Sequence, residues 1–380
     1  MSVTSRSNTA PDAVVAGYLG VDLTPGFSAA RAPVPFSELF RPGKLIETEG
    51  LHFSLGGVVA NTGLALQRFG LRVELMGCVG RDALGELVMA RLAQAGAAAG
   101  IRRADRAGTA YGLVLAPPGA DRLFLEDPGC NRIFSADDLD YDVIGRSRLF
   151  HFGYPPLMEA LWTNGGTGLL TLLGRVRERG VAVSLDLTLP DPDSPSGQAD
   201  WRAILEAALP LVDIFVPSVE ELLFMVAPEQ YAHLLAAAKG GDLIPVIPPA
   251  LVAELAAWVL ARGVKIVLIK AGHCGAYLRT GDLAALANAV PALRLATAAG
   301  CPDGVWLKPL PVAPGRFQNA CGAGDCAVAG FLAALLNGAD VRVAGAYAML
   351  AGRDNLYGQD ALTGLRNWQQ MTQSLTDGSV

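Results

Sequence analysis

A short loop near the carboxyl end of the chain combines very small residues with one acid. Residues 319–325 read Asn-Ala-Cys-Gly-Ala-Gly-Asp and run into the apolar stretch 326–336, which predicts a buried helix. The first amides of a helix have no internal partners and carry the positive end of its dipole. Because Gly322, Ala323 and Gly324 let a ligand approach these amides closely, the sequence predicts an anion site at this helix start.

Asp325 stands at the same helix start, where its charge would repel a phosphate. An acid is understandable there if it takes a proton from a hydroxyl that attacks the phosphate. Phosphoryl transfer needs such a base, an in-line nucleophile and donors for the developing charge. The alternative is an ordinary helix N-cap after a glycine-rich turn, and this segment alone favours that alternative.

The elements that must position this loop follow an alternating pattern. Apolar strands are predicted at 13–19, 72–79, 148–152, 182–187, 214–216 and 266–270. Between or after them, helices are predicted at 58–69, 83–95, 169–178, 219–225, 250–261, 326–336 and 343–351. Near-continuous apolar strands separated by helices predict an α/β fold with a mostly parallel sheet that is covered on both faces.

Two stretches interrupt this alternation. Residues 24–55 contain apolar pieces but no long helix. Residues 109–116 and 121–127 look like two strands joined by Pro-Pro-Gly-Ala, which is a hairpin signal. These pieces are compatible with a small β lid beside the main sheet, and equally with an ordinary edge hairpin.

Composition narrows the class of protein. Of the 380 residues, 51% are hydrophobic and 17% are charged, which supports a large core, and the net charge of −6 gives no basic footprint for nucleic acid. No apolar run is long enough to span a bilayer, and the first residues have no apolar signal core. Six cysteines without compact spacing predict no disulfide framework, so the expected compartment is the cytoplasm.

Several segments, in family order along residues 12–360, resemble the signatures of the PfkB, or ribokinase-like, carbohydrate kinases. Residues 322–325 and the following helix resemble the carboxyl-terminal signature, and Gly-Gly-Val-Val-Ala-Asn at 56–61 resembles the amino-terminal one. Further similar motifs are Gly-Tyr-Leu-Gly-Val-Asp at 17–22, Gly-Arg-Asp-Ala-Leu-Gly at 80–85, Pro-Ser-Val-Glu-Glu at 217–221 and Lys-Ala-Gly-His-Cys-Gly at 270–275.

The resemblance implies a ribokinase-like, doubly wound α/β domain with a small β-sheet lid. We expect this kinase domain over residues 12–365, with lid segments near 24–55 and 107–127. A disordered tail is expected at 1–11 and a carboxyl-terminal tail at 366–380. The lid would leave open strand edges, and pairing two lids in a homodimer is one way to cover them.

The activity implied by the resemblance is ATP-dependent transfer of the γ-phosphoryl group to a hydroxyl of a sugar or sugar-like small molecule. Asp325 would be the general base, and the helix start at 322–324 would be the anion hole. The acceptor would be bound by Asp22, Gly56, Gly57 and Asn61. A nucleoside or vitamin-type alcohol as acceptor remains an alternative, as does a regulator that binds nucleotide or sugar without catalysis.

The resemblance also implies ATP and Mg²⁺ as cofactors. Glu221 would organise the Mg²⁺ shell, although Ser218 replaces the usual Asn and a plain first-turn carboxylate is an equal alternative. Gly272 and Gly275 would let the nucleotide pass close to the backbone, with a plain turn as the alternative. No role is predicted for Lys270.

One departure from the family concerns a monovalent cation. Family members commonly have Asp-Thr where this chain has Asn319-Ala320, and in potassium-activated members that Asp helps to bind the ion. Asn keeps one oxygen but loses the charge. The sequence therefore predicts a weak or absent cation site, with the Asn319 amide holding the turn by hydrogen bonds instead.

Overall fold

Within residues 10–28, 34–118 and 123–378, which the computed structural model describes, thirteen strands form two sheets. The strands, β1 to β13, are Ala13–Gly17, Gly20–Pro25, Leu51–Gly56, Val73–Gly80, Ile101–Ala104, Ala110–Leu115, Leu123–Asp127, Leu149–Gly153, Ala182–Asp186, Ile214–Phe215, Ile266–Lys270, Ala276–Thr280 and Val305–Leu307. The larger sheet has the order β5-β4-β1-β8-β9-β10-β11-β12-β13. Its first seven strands are parallel, and β12 and β13 are antiparallel to their neighbours.

Helices cover both faces of this sheet. The α-helices, α1 to α13, are Phe36–Leu39, Val58–Arg68, Ala83–Gln94, Tyr141–Ile144, Glu159–Arg177, Trp201–Ala208, Val219–Val226, Pro228–Ala238, Pro249–Leu260, Leu283–Ala289, Ala323–Leu336, Val341–Asn355 and Trp368–Asp377. Alternate residues of β1 enter two different cores, Val15 with α2, α11 and α12, and Val14 with α5, α6 and α9. Both faces of the central strands are therefore apolar, and the predicted doubly wound fold is confirmed.

The smaller sheet has the order β3-β2-β6-β7, with β2 and β6 parallel and the two outer pairs antiparallel. The β6–β7 hairpin thus belongs to a separate sheet and does not extend an edge of the main one. Residues 29–33 and 119–122, which include part of the predicted turn, lie outside the described residues, as do 1–9 of the predicted tail. Strand β7 is exposed along its length, and the lid-mediated homodimer stays a prediction.

Helix α11 is the most completely buried helix near the predicted loop. Every residue from Asp325 to Leu336 is buried. The lack of a side chain at Gly330 allows α12 to come close, since a Cβ there would lie 2.6 Å from the carbonyl oxygen of Tyr347. The helix begins at Ala323, earlier than the predicted 326, because Gly322 makes the turn before it with a φ of 76°.

The carboxyl-terminal segment, expected to be a plain tail, contains α13. Asn367 and Gln370 form a capping box at its start. The ring of Trp368 stacks on Tyr347 of α12 with centroids 4.3 Å apart, and Met371 is buried. Residues 379 and 380 lie outside the described residues.

No helix in the part of the chain that the structure describes is long and apolar enough to cross a membrane.

Candidate active site

Polar side chains gather where the parallel strands of the main sheet end. Tyr154 follows β8 directly, Asp186 is the last residue of β9, and Lys270 is the last residue of β11. The first turn of α11 brings Asp325 to the same edge, where it contacts Tyr154. Ligands of open α/β sheets bind outside the carboxyl ends of the strands, so this edge is the candidate site.

Asp325 is not a helix cap. The N-cap of α11 is Gly322, and no side chain caps the helix there. Instead, the buried Asp325 carboxylate accepts a hydrogen bond from Asn61 Nδ2 at 2.9 Å, and the Tyr154 hydroxyl lies 2.8 Å from both of its oxygens. Thr62 Oγ1 lies 3.4 Å from Asp325 Oδ1. Side chains from two separate elements therefore hold the carboxylate at the helix start.

The electrostatic setting of Asp325 suits a base. Burial raises the pKa of Asp325, while hydrogen bonds from Asn61 and Tyr154 and the charge of Lys270 lower it, and the balance lies above the ordinary value. A carboxylate with a raised pKa accepts a proton more readily than an exposed one.

Tyr154 takes an unusual backbone conformation to make its contact. Its φ and ψ are 69° and 38°, in the left-handed region that is uncommon for a bulky residue. Pro155 and Pro156 follow it, and both are buried. Strain of this kind persists where the surroundings enforce it, and here it accompanies the placement of the hydroxyl on Asp325.

Lys270 and Asp186 form a buried ion pair beside the loop. The Lys270 Nζ lies 2.7 Å from both carboxylate oxygens of Asp186. Burial opposes the charge of Lys270, but Asp186, Glu221 and Asp325 outweigh it, so the pKa of Lys270 is raised. Burial also raises the pKa of Asp186, to about 7, against the effect of Lys270. With three carboxylates acting on it, Lys270 is held in its charged form.

The lysine lies against the glycine-rich loop. A Cβ on Gly324 would lie 3.9 Å from the Lys270 Nζ. The helix start at 322–324 therefore has a cation beside its first amides, and the arrangement can hold an anion. One of these amides, that of Ala323, donates to the Ala320 carbonyl at 3.3 Å.

Glu221 combines a capping role with a position near this cluster. Its carboxylate accepts from the Ser218 amide at 2.6 Å, and the Ser218 hydroxyl accepts from the Glu221 amide at 3.2 Å, a complete capping box on α7. Ser218, where the family motif has Asn, thus serves the helix start. The charge of Glu221 still acts on Lys270, Asp186 and Tyr154.

The described residues contain no cluster of three or more potential metal ligands. That is compatible with Mg²⁺, which usually binds through one or two carboxylates together with phosphate oxygens and water. Glu221 and Asp186, both within electrostatic reach of Lys270, are the carboxylates at this edge that fit such a set.

Gly272 and Gly275 form the turn after β11. Gly275 has a φ of 94°, and a Cβ there would lie 2.0 Å from the carbonyl oxygen of Leu307. A Cβ on Gly272 would lie 2.7 Å from Ile244 Cδ1. Close packing against backbone thus requires glycine at Gly275, and the φ of 49° favours it at Gly272. The turn lies directly after Lys270 at the candidate site.

The smaller sheet, β3-β2-β6-β7, corresponds to the predicted lid. The predicted acceptor residues lie between this lid and α2. Gly57 is the N-cap of α2 with a φ of 85°, and a Cβ there would lie 2.5 Å from the Tyr18 carbonyl oxygen. A Cβ on Gly56 would lie 2.6 Å from Asp22 Oδ1. Burial and the charges of Glu126 and Asp325 raise the pKa of Asp22 to about 7. Asn61, by contrast, uses its amide on Asp325 itself.

Sequence reasoning assigned no role to four side chains of this site: Thr62, Tyr154, Asp186 and Lys270. The sequence did contain a signal for Tyr154, Asp186 and Lys270, because each stands at the carboxyl end of an apolar strand. Ligands of open parallel sheets bind at that edge. What the sequence does not contain is the pairing itself, since Asp186 and Lys270 are 84 residues apart.

Asn319 holds the turn as expected for an amide. Its Oδ1 accepts from the Cys321 amide at 2.9 Å, and its Nδ2 donates to the Gln359 carbonyl at 3.0 Å.

Comparison with known proteins identifies the family. The model of the pfkB family carbohydrate kinases matches residues 28–353. The chain belongs to the PfkB family. This confirms the resemblance to the PfkB carbohydrate kinases.

Curated relatives of this PfkB chain include sugar kinases. It is 28% identical over 189 residues to "Probable fructokinase-4" of Arabidopsis thaliana, an alignment that covers 49% of this chain and 57% of the relative. The chain thus spans little more than half the length of that relative. It is 25% identical over 284 residues to an "Uncharacterized sugar kinase" of Archaeoglobus fulgidus, covering 74% and 90% of the two chains.

Solved structures support the fold of the PfkB chain. The structure of Arabidopsis thaliana ribokinase complexed with ribose and ATP matches with a TM-score of 0.68 at 18% identity, covering 97% of this chain and 99% of that one. The ribokinase of Giardia lamblia matches with a TM-score of 0.69 at 16% identity, covering 98% and 100%.

Proposed function

We propose that this PfkB protein transfers the γ-phosphoryl group of ATP to a hydroxyl of a sugar or sugar-like molecule, with Asp325 as the general base. The observation that carries the proposal is the placement of Asp325. Its buried carboxylate lies in the first turn of α11, is held by Asn61 and Tyr154, and is acted on by the charge of Lys270, which lies against Gly324 of the same helix start. A base and an anion cradle at one helix start are what an in-line transfer to an alcohol requires.

In this mechanism the acceptor is bound by Asp22 and the backbone at Gly56 and Gly57. Asp325 takes the proton of the attacking hydroxyl, whose oxygen forms the new bond to the γ-phosphorus. The bond between that phosphorus and the oxygen bridging it to the β-phosphate breaks, and ADP leaves. The amides of Gly322, Ala323 and Gly324, together with Lys270, stabilise the charge that develops on the phosphoryl oxygens.

On the nucleotide side, Glu221 would hold Mg²⁺ and the turn at Gly272 and Gly275 would pass close to ATP. The metal supplies positive charge to the phosphate oxygens when bound. The capping box fixes the Glu221 carboxylate in place, so that a metal-bound water is a suitable contact for it.

The test is ADP release from ATP and Mg²⁺ with fructose, ribose and a nucleoside as acceptors. Loss of a general base costs roughly 10²–10⁴-fold in rate. Asp325→Asn should therefore lose turnover by that factor while it still binds ATP. The matched control is Asp340→Asn, because Asp340 caps α12 and Asn is an equally good cap. Near-wild-type turnover in Asp325→Asn would contradict the assignment.

A further inference from the structure

Glu126 lies on β7, the outermost strand of the lid, in register with Asp22 of β2 across the intervening strand β6. Asp22 of β2 pairs with Gly112 of β6, and Gly112 pairs with Glu126 of β7. Residues paired in this way point to the same face of a sheet. Both carboxylates therefore lie on the face of the lid that carries the predicted acceptor residue.

Gly112 lets the two carboxylates approach each other. A Cβ at this position would lie 2.5 Å from Glu126 Oε2 and 3.4 Å from Asp22 Oδ1. The two side chains thus fill the space above the glycine that any other residue would occupy. The charge of Glu126 is one of the causes that raise the pKa of Asp22.

The main sheet fixes the position of Glu126. The hydroxyl of Tyr18, which is buried and follows β1, donates a hydrogen bond to Glu126 Oε1. The ring of Tyr18 lies 6.2 Å from that of Tyr154, whose hydroxyl contacts Asp325. Glu126 is thus tied to the same edge of the sheet as the proposed base, although β7 itself is exposed to an entering ligand.

Among residues 10–28, 34–118 and 123–378, no positive side chain acts on the Asp22 carboxylate. The charged groups that act on Asp22 are Glu126 and Asp325, both negative. No residue within 10–28, 34–118 or 123–378 donates a hydrogen bond to the Asp22 carboxylate, so its acceptor capacity is available to a ligand. Lys270 is paired with Asp186, and its charge acts on Asp325.

We propose that Glu126 is a second acceptor-recognising carboxylate, and that Asp22 and Glu126 together select a neutral or cationic polyhydroxy acceptor and reject phosphorylated or acidic sugars. Two carboxylates accept hydrogen bonds from several hydroxyl or ammonium donors of one ligand. Burial raises the pKa of both acids, that of Asp22 to about 7, so a ligand phosphate at this face is repelled by both carboxylates once the pH is above that value. This inference rests on the proposed kinase function and specifies the class of its acceptor.

The experiment compares matched acceptors that differ only in one phosphate, namely fructose with fructose 6-phosphate and ribose with ribose 5-phosphate. For each pair, kcat/KM is measured by ADP release and affinity by calorimetry without ATP. Wild-type protein should favour the neutral sugar of at least one pair by about 100-fold or more in both measurements, since like charges in contact at an interface are strongly unfavourable. Glu126→Gln should reduce that preference by about 10-fold.

Asp127→Asn is the matched control. Asp127 is the next residue of β7 and therefore points to the opposite face. The charge of Asp127 also raises the pKa of Glu126, but its carboxylate lies on the other face, so its neutralisation should change the preference by no more than about two-fold, less than Glu126→Gln does. Tyr18→Phe, which removes only the hydrogen bond to Glu126, should reduce the preference by less than Glu126→Gln does, and it serves as the second variant if Glu126→Gln does not fold.

The results separate the inference from the proposed function. Equal use or binding of the phosphorylated sugars, or an equal change in Asp127→Asn and Glu126→Gln, would overturn the role of Glu126 while leaving the kinase intact. Absence of ADP release with every acceptor would contradict the kinase itself, and the calorimetric comparison would still decide whether the acidic face rejects phosphate.

Discussion

The two halves of the site carry opposite charge. On the phosphate side, the amides at the start of α11 and the buried Lys270 present positive charge to a ligand. On the proposed acceptor side, Asp22 and Glu126 share one face of the lid and carry negative charge once the pH is above the raised pKa of Asp22, about 7. Asp325 is linked to both halves, because the charge of Lys270 lowers the pKa of Asp325 and the charge of Asp325 raises that of Asp22. The difference indicates that charge alone directs the ATP phosphates to one half of the site and a neutral acceptor to the other.

The largest expected effect comes from removing the cation of the phosphate side. Lys270→Met leaves Asp186 buried without its partner, and breaking a buried ion pair costs about 3–5 kcal/mol in the free energy of unfolding. Denaturant unfolding measures this loss.

The control for that variant is the double replacement Lys270→Met with Asp186→Asn, which removes both charges. It should recover most of the lost stability, because no unpaired buried charge remains. Equal destabilisation of the single and the double variant would show that packing, and not charge, accounts for the loss.

A smaller effect is expected where the two halves meet. Tyr154→Phe removes a hydrogen bond that lowers the pKa of Asp325, so the pKa of this base rises further. Because the reaction needs the ionised carboxylate, the acidic limb of the pH profile of kcat/KM should move to higher pH. At neutral pH, kcat should fall on the order of 10-fold, within the range for a hydrogen bond to a charged group.

Tyr277→Phe is the comparison for this profile. The Tyr277 hydroxyl also makes a hydrogen bond, to the Asp303 carbonyl, but it lies on β12, away from Asp325. Its pH profile should match that of the wild type. A Tyr154→Phe profile that keeps its acidic limb would mean that the hydroxyl does not act on the base.

On the acceptor side, Asp22→Asn should raise the KM of the acceptor by about 10-fold, because one charged hydrogen-bond acceptor is lost. The KM of ATP, bound on the other half, should stay unchanged and is the internal control. Asn61→Ala should behave differently and lower kcat as well, since Asn61 contacts Asp325 directly. An Asp22→Asn variant with weaker ATP binding would mean that the two halves are assigned wrongly.

The smallest effect concerns monovalent cations. Asn319 already satisfies the turn through Cys321 and Gln359, without a carboxylate for an ion. We expect little or no activation when K⁺ replaces a bulky organic cation at constant ionic strength, and some activation in Asn319→Asp. Strong, saturable K⁺ activation of the wild type would refute this expectation.

Much of the fold was predictable because its signals are local. Apolar strands such as β11 are contiguous in sequence, and the loop at 322–325 combines glycine with an acid in a recognisable order. The start of α11 was placed three residues late, since Gly and Ala alone do not distinguish a turn from a first helical turn. The last helix, α13, was missed although Trp368, Met371 and Leu375 follow a helical spacing.

The finer structure of the site was not predictable for a different reason. Its contacts join elements that are far apart in the chain, such as Tyr154 with Asp325, 171 residues away. The role of Ser218 as a helix cap, by contrast, could have been recognised from Ser218 and Glu221, which have capping-box spacing.

The burial of α11 has a consequence for how easily each part of the site opens. Amide protons from Asp325 to Leu336 lie in the core, so their exchange with solvent should require opening of the whole domain. Those of β7, exposed along its length, should exchange through local fraying. The proposed base and the helix start beside it should therefore be lost only when the core unfolds. The acidic face that sorts acceptors exists only while the outermost strand of the lid stays paired.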